Sequence, residues 1–289
     1  QESRSMNVRV LGSSSAGNST VVWDEGAAIL IDCGFRPSYI RRHLEKLRLS
    51  LSTISGALLT HLHNDHLHEE TIQELVQNRI PIFLPPKLRV TAKKTFTTIR
   101  LADAHGLLQT LEEPHTEIGP FSVGAFEVFH DAPGGCYGYV IRRETPGRSM
   151  KAVMATDVGF TSRPMVEAFA DADLMIIESN HDPEMLENSG RPDWLKRRIR
   201  ERGHLSNEEC ARFLVEVLNA SDGLPEAIIL AHVSQECNTI DRAIERTTSA
   251  LVENGYSGIR VLPTFRGKPN DIVKIGAPQG EQMNLFAKL

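Results

Sequence analysis

Three histidines and an aspartate fall within the stretch Thr60-His61-Leu62-His63-Asn64-Asp65-His66. Neutral imidazoles and carboxylates are ligands for zinc, iron and manganese. Along an extended or turning backbone, residues two apart face the same side. His61 and His63 can therefore hold one ion, while Asp65 and His66, turned the other way, can hold a second. Further along, an acid or a histidine repeatedly closes an apolar run: Asp32, His61, His130, Asp157, His181 and His232. One such residue would be an ordinary buried polar group. Six point to sheet edges converging on one site.

These side chains need elements to position them. Ile54 to Leu59 reads as a buried strand and Glu69 to Gln77 as a helix, so the ligand-rich stretch lies on a strand-to-helix loop. Upstream, Val8–Leu11 and Thr20–Trp23 read as strands around Gly12–Ser19, a loop of small hydrogen-bonding residues that is either a plain hairpin turn or a close backbone approach to a ligand. Ala27–Gly34 reads as a third strand, ending in an acid and a glycine. Ser38–Leu47 has helical spacing, Ile80–Leu84 reads as a short strand, and Lys87–Arg100 reads as one basic, solvated helix. From Gly119 the period becomes two, with Phe126, Val128 and His130 on one face. A hairpin follows, its arms Tyr137–Arg142 and Lys151–Ala155. Met165–Ala170 reads as a helix and Leu174–Ile177 as a strand. Pro192–Arg200 is a basic helix or loop whose Trp194 is expected in the core, with stacking on a base as the alternative. Ser206 and Glu209 fit a capping box opening a helix to Leu218, with Cys210, Phe213, Leu214, Val217 and Leu218 inward. Ala227–Leu230, Ile259–Leu262 and Asp271–Ile275 are further strands, and Thr239–Glu253 a helix.

With 289 residues the chain can bury a sizeable core as one large α/β domain or two smaller ones. No stretch is long and apolar enough to span a bilayer. The opening Gln1-Glu2-Ser3-Arg4-Ser5-Met6 has no apolar core; residues 1–5 read as an expression-tag remnant, with the domain running from 6 to 289. Cys33, Cys136, Cys210 and Cys237 lack pairing spacing and read as reduced thiols of a cytoplasmic protein. A net charge of -5 does not advertise a nucleic-acid binder, yet a local basic groove can coexist with an acidic remainder.

His-x-His-x-Asp-His is the hallmark of the metallo-β-lactamase fold superfamily, which this sequence resembles at residues 61–66. Within it, the WalJ (also called YycJ) family of bacterial metallohydrolases is the nearer match. The similar stretches are Val10–Ser19, Leu30–Gly34, Thr60–His66, His130-Asp131-Ala132, Ala155-Thr156-Asp157, Glu178–Asp182, Leu195–Ile199 and Gly203–Asn207, so the resemblance runs from Val8 to about Thr264. It implies a four-layer αββα sandwich, two mixed sheets with flanking helices. It also implies two divalent ions, zinc or manganese: His61, His63 and His130 on the first, Asp65, His66 and His232 on the second, Asp157 bridging. Asp32 would support the ligand loop from behind; its alternative role is a helix cap.

The activity implied is a nuclease's, with 5′-to-3′ exonuclease action on DNA proposed for the family and DNA favoured over RNA. A hydroxide shared by the ions would attack phosphorus. The catalytic set would be Asp65, Asp157 and His204, or else His181 as the proton donor. Ser13, Ser14 and Asn18 would offer further donors to the substrate, as would Ser206 and Asn207. Arg197, Arg198 and Arg200 would hold the flanking backbone electrostatically. The interval from Asp157 to His232 is too short for an additional clamping domain, so neither tRNA processing nor mRNA 3′-end cleavage is expected. No protein partner is inferable. The same centre would also serve a small-molecule hydrolase acting on a cyclic phosphodiester, thioester or lactone; salt-sensitive affinity for DNA separates the two. A metal-bearing scaffold is the third reading, which turnover of any substrate would exclude.

Overall fold

The computed structural model describes residues 5–276. The expected tag remnant, apart from Ser5, and residues 277–289 of the expected domain lie outside them. Fourteen strands are formed among the described residues: β1 (Met6–Gly12), β2 (Ser19–Trp23), β3 (Ala28–Ile31), β4 (Ile54–Leu58), β5 (Ile82–Leu84), β6 (Leu108–Thr110), β7 (Thr116–Ile118), β8 (Phe121–Val128), β9 (Cys136–Thr145), β10 (Arg148–Ala155), β11 (Leu174–Glu178), β12 (Ala227–Ala231), β13 (Arg260–Pro263) and β14 (Val273–Ile275). The helices are α1 (Pro37–Lys46), α2 (Glu69–Gln77), α3 (Pro86–Thr95), α4 (Thr97–Ala104), α5 (Arg163–Phe169), α6 (Pro183–Glu187), α7 (Asp193–Arg198), α8 (Asn207–Asn219) and α9 (Ile240–Glu253).

The strands make two seven-stranded sheets, ordered β14-β1-β2-β3-β4-β5-β6 and β13-β12-β11-β10-β9-β8-β7. Each is antiparallel in one half and parallel in the other: β3 to β6 run parallel in the first, β10 to β13 in the second. A parallel pair needs a crossover connection. Here α1, α2 and the α3–α4 pair supply it for the first sheet, and α5, the α6–α8 segment and α9 for the second. This is the two-sheet sandwich with flanking helices that the resemblance implied.

The burial follows the pleat. On β10 to β12, Ala152, Met154, Leu174, Ile176, Ala227 and Ile229 face the core between the sheets. Their neighbours Val153, Ala155, Met175, Ile177, Ile228 and Leu230 face a second core against α5, α8 and α9. Both faces are buried, which is why these strands read as continuous apolar runs.

Several expectations are corrected. Lys87–Arg100 is two helices, because Phe96 adopts an extended conformation (φ -110°, ψ 128°) between them and its ring packs against the core. The β-branched Thr95, Thr97 and Thr98 around it weaken helix continuity. Trp194 is 66% exposed, not a core residue. The three-residue strands β6 and β7 carry no usable period and went unread. Helix α8 opens on the expected capping box, with all five expected residues buried.

Candidate metal centre

The parallel strands β3, β4, β10, β11 and β12 end toward one edge of the sandwich, and the polar residues follow those ends. Three of them leave the strand in the left-handed region: Asp32 (φ 62°), Asp157 (φ 58°) and His232 (φ 55°). Aspartate tolerates this region better than most residues, but it still costs energy that a packed surrounding must hold. The other positive-φ residues that are not glycine, Arg48, Arg79 and Asp171, sit in turns just past helices. The strain at strand ends thus collects at the polar cluster.

The ligand loop is clamped from behind. Cys33 donates its N–H to the His66 carbonyl at 2.8 Å, and His68 returns one to the Cys33 carbonyl at 2.8 Å. The Asn18 N–H donates to the Asp65 carbonyl at 2.7 Å. Gly34 is required here: a Cβ on it would lie 1.7 Å from the Asp65 carbonyl oxygen. Asp32 accepts from the Thr60 N–H at 2.8 Å and sits 2.7 Å from His66 Nδ1. It therefore supports the loop and caps no helix; Arg36 stands at that helix start.

All seven expected ligands come together. Ligand atoms of His61, His63 and His130 lie within 4.8 Å of one another, as do those of Asp65, His66 and His232, and those of His61, His66 and Asp157. His61 Nε2 is 3.0 Å from His63 Nδ1, and His66 Nε2 is 3.1 Å from Asp157 Oδ2. His232 Nε2 lies 3.7 Å from Asp157 Oδ1 and 3.9 Å from Asp65 Oδ2. Anchors fix which nitrogen turns inward: His66 Nδ1 on Asp32, His130 Nδ1 on the Gly203 carbonyl at 3.1 Å, His232 Nδ1 on Glu178 at 2.8 Å. Each leaves Nε2 for a ligand, the usual arrangement around protein-bound metals.

Two tests favour a cation here. His232 Nε2 is buried with no hydrogen-bond partner, and Asp157 Oδ2 is buried with His66 Nε2 near it but out of hydrogen-bonding alignment. The charges also ask for one. Burial alone would raise the Asp157 carboxyl, but His232, His66 and His61 outweigh it and hold it well below the usual range. Burial opposes charge on His232, yet Asp157, Asp65 and Glu178 push it up to about 10. His66 is raised well above the ordinary value against its burial by Asp32 and Asp157. His61 is driven well below it by burial and by His66. Buried carboxylates thus favour positive charge on His66 and His232, a role that a divalent cation would take over.

A cavity of about 280 Å3 opens onto the cluster. His63, Asp65, His130, Asp157, His204 and His232 line it, and Arg198 stands at its wall. His61 and His66 are fully buried behind. His204 follows a five-residue π-helical turn, Ile199–Gly203, in which its N–H reaches back to the Ile199 carbonyl at 3.1 Å. Such turns favour functional sites.

The remaining expected residues are elsewhere. Ser13, Ser14 and Asn18 are buried, and the Asn18 amide points at His66 Nε2 (2.9 Å) and Asp65 Oδ2 (3.3 Å). They brace the ligands and do not line the cavity; Ser15 does. Ser206 caps α8, and Asn207 accepts from Ser179 at 2.7 Å in a buried network. His181 is buried away from the cavity wall, with burial lowering it to about 4. Arg197 does not reach the cavity, and Arg200 pairs with Glu187.

Glu178 is the residue that sequence reasoning missed. It is fully buried, and its Oε1 is 2.9 Å from His204 Nδ1 and 2.8 Å from His232 Nδ1. Its Oε2 accepts from the N–H groups of Val158 and Leu205. Burial would raise it, but the two histidines hold it at about 2. The signal was present: Glu178, not His181, is the polar residue closing β11. Asn180 was also missed; it lines the cavity and donates to the His232 carbonyl at 2.8 Å.

The model of the Beta-lactamase superfamily domain matches residues 27–232. The chain belongs to this superfamily. It is thus a hydrolase of the metallo-β-lactamase fold, and that fold implies divalent metal ions. Among characterised relatives, the chain is 27% identical over 257 residues to the exodeoxyribonuclease YycJ of Bacillus anthracis, covering 87% of this chain and 91% of that protein. It is 27% identical over 243 residues to the exodeoxyribonuclease WalJ of Streptococcus pneumoniae, covering 79% and 82%. Among solved structures, the metallo-β-lactamase fold protein YhfI from Bacillus subtilis superposes with a TM-score of 0.64 at 18% identity, covering 93% of this chain and 99% of that one.

Proposed function

We propose that the protein is a phosphodiesterase of the nuclease type, an exodeoxyribonuclease that trims DNA from 5′ to 3′ with two divalent ions, zinc or manganese. The observation that carries this reading is Glu178: one buried carboxylate orients both the candidate ligand His232 and the cavity-lining His204. Similarity to the two exodeoxyribonucleases supports the substrate class.

His61, His63, His130, Asp65, His66, His232 and Asp157 would hold the two ions, which would supply Lewis acidity and acidify the attacking water. The chain's own residues do the rest. Arg198, exposed and paired at the surface with Asp131 at 3.1 Å, draws the phosphate backbone to the mouth. Glu178 accepts the Nδ1 proton of His204, which leaves Nε2 open to the cavity. To donate a hydrogen bond or proton to the departing oxygen from Nε2, His204 must carry a second proton there, the Nδ1–H staying on Glu178, which stabilises the resulting cation. Asn18 and Asp32 hold the ligand loop still while charge builds up on the phosphate. One domain over residues 6–289 is part of the reading, supported by the apolar core that both sheets share. A cytoplasmic setting accords with four unpaired, buried cysteines.

The experiment is a substrate panel at several salt concentrations: single-stranded and duplex DNA, the same lengths of RNA, and a small phosphodiester. The expected result is DNA cleavage whose affinity falls steeply with salt. Hydrolysis of the small diester alone, with no salt slope, would replace the nuclease reading with a small-molecule one.

A further inference from the structure

Two phenylalanine rings, close in sequence to the candidate ligands His130 and Asp157, are about half exposed. Phe129 and Phe160 stack on each other with centroids 4.1 Å apart and planes inclined by 26°, yet they are 42% and 48% exposed. Large rings are normally buried, and among the described residues neither ring stacks on any aromatic ring but the other.

Their place in the chain ties them to the candidate centre. Phe129 immediately precedes His130, and Phe160 follows Asp157 by three residues. The two segments are joined by the Gly159 N–H, which donates to the Phe129 carbonyl at 2.7 Å. A Cβ on Gly159 would lie 2.5 Å from the Arg202 carbonyl and 2.9 Å from the Phe129 ring. The stack therefore borders the Ile199–Gly203 turn, which contributes Ile199 and Gly203 to the cavity wall beside Arg198. Trp194, 66% exposed, lies on α7, the helix that carries Arg198.

We propose that Phe129 and Phe160 form a stacking platform for an unpaired nucleobase adjacent to the phosphodiester being cut. The protein's substrate is then a single strand or the frayed end of a duplex. This rests on the phosphodiesterase reading above. Charge complementarity selects the occupant. Arg198 pairs with Asp131, two residues past Phe129, in a surface bridge weak enough to exchange, and so offers positive charge to the phosphate of a docked base. Every base has a π-face, so the platform is indifferent to sequence. A base inside a duplex has both faces covered by its neighbours, so only an unpaired or terminal base can dock.

The test compares two single-stranded oligonucleotides, one carrying bases throughout and one abasic at the end being trimmed. The variants are Phe129→Leu, Phe160→Leu and Phe160→Trp. Stacking is worth about 1–3 kcal/mol per base. The ratio of kcat/KM for the base-bearing over the abasic strand should therefore fall about fivefold or more in the leucine variants. It should persist in Phe160→Trp, whose added indole fluorescence should be quenched as single strand binds. An unchanged ratio with DNA still cleaved overturns the platform, leaves the nuclease reading standing and turns the rings over to a protein partner. A wild-type protein that hydrolyses methyl p-nitrophenyl phosphate but no oligonucleotide overturns both.

Discussion

At the scale of single residues, Glu178 divides the chemistry from the scaffold. It serves two histidines at once, so Glu178→Ala should damage two functions: ion affinity through His232 and turnover through His204. Loss of a group that orients a ligand typically costs 10–100-fold in metal affinity or activity. His204→Ala should instead keep the ion content and lower turnover by roughly 10²–10⁴. Elemental analysis beside steady-state kinetics separates the two; a His204→Ala protein that loses its ions would move His204 into the ligand set. His232, pushed up to about 10 by its carboxylate neighbours, gives a second expectation. Ligation at Nε2 requires a neutral ring, so loading the metal-free protein at pH 8 should release at least one proton per chain. Calorimetry in buffers of different ionisation enthalpy reads that number; no release would contradict His232 as a ligand. The ligands themselves were legible because four fell within one short stretch and the rest closed apolar runs. Glu178 was not, because a run-closing acid becomes a bridge only when two distant histidines arrive beside it. Ser13, Ser14 and Asn18 were read as substrate donors on composition alone; their burial turns the same hydrogen-bonding capacity onto the ligands.

At the scale of elements, the ligand loop depends on the strand end that presses on it. Gly34→Ala places a methyl group against the Asp65 carbonyl at 1.7 Å, so the loop must move. The expected outcome is a stability loss of about 1–3 kcal/mol and at least tenfold weaker ion binding, read by denaturant unfolding and metal titration. An unaltered affinity would show the loop to be self-supporting. Helix α1 offers a test by pH. His43 is buried against Tyr39 with neither ring nitrogen hydrogen-bonded, and burial, then Lys46, Arg42 and Arg9, lower it to about 4. A histidine that is neutral when folded and protonated when unfolded stabilises fully above its unfolded value. That stability is lost as pH falls from about 6.5 toward 4. Between pH 7 and 4.5 the wild-type protein should lose about 1–2 kcal/mol more than His43→Leu, allowing for screening of the cationic neighbours; parallel profiles would contradict this. Helix and strand spans were legible to within about three residues where a period was long enough to see, the hairpin arms β9 and β10 each running three residues further toward their turn than expected. The break at Phe96 was not, because the pull of the core on one ring decided it.

At the scale of the whole molecule, the two sheets repeat one plan, an antiparallel half joined to a parallel half. The parallel halves bring their C-terminal strand ends to a common edge, where ligands collect in open α/β sheets. The recurrence of polar strand ends expressed that convergence in sequence, although only the resemblance, not periodicity, specified the sandwich. The account's central claim is that this edge is a phosphodiester-cleaving metal centre. The most direct measurement is the initial rate of mononucleotide release from end-labelled single-stranded DNA as metal-depleted protein is titrated with manganese or zinc, beside Asp157→Ala. The rate should be negligible without ions, rise to a plateau at two ions per chain and vanish in the variant. Undiminished cleavage by Asp157→Ala, or no cleavage at full loading, would contradict it.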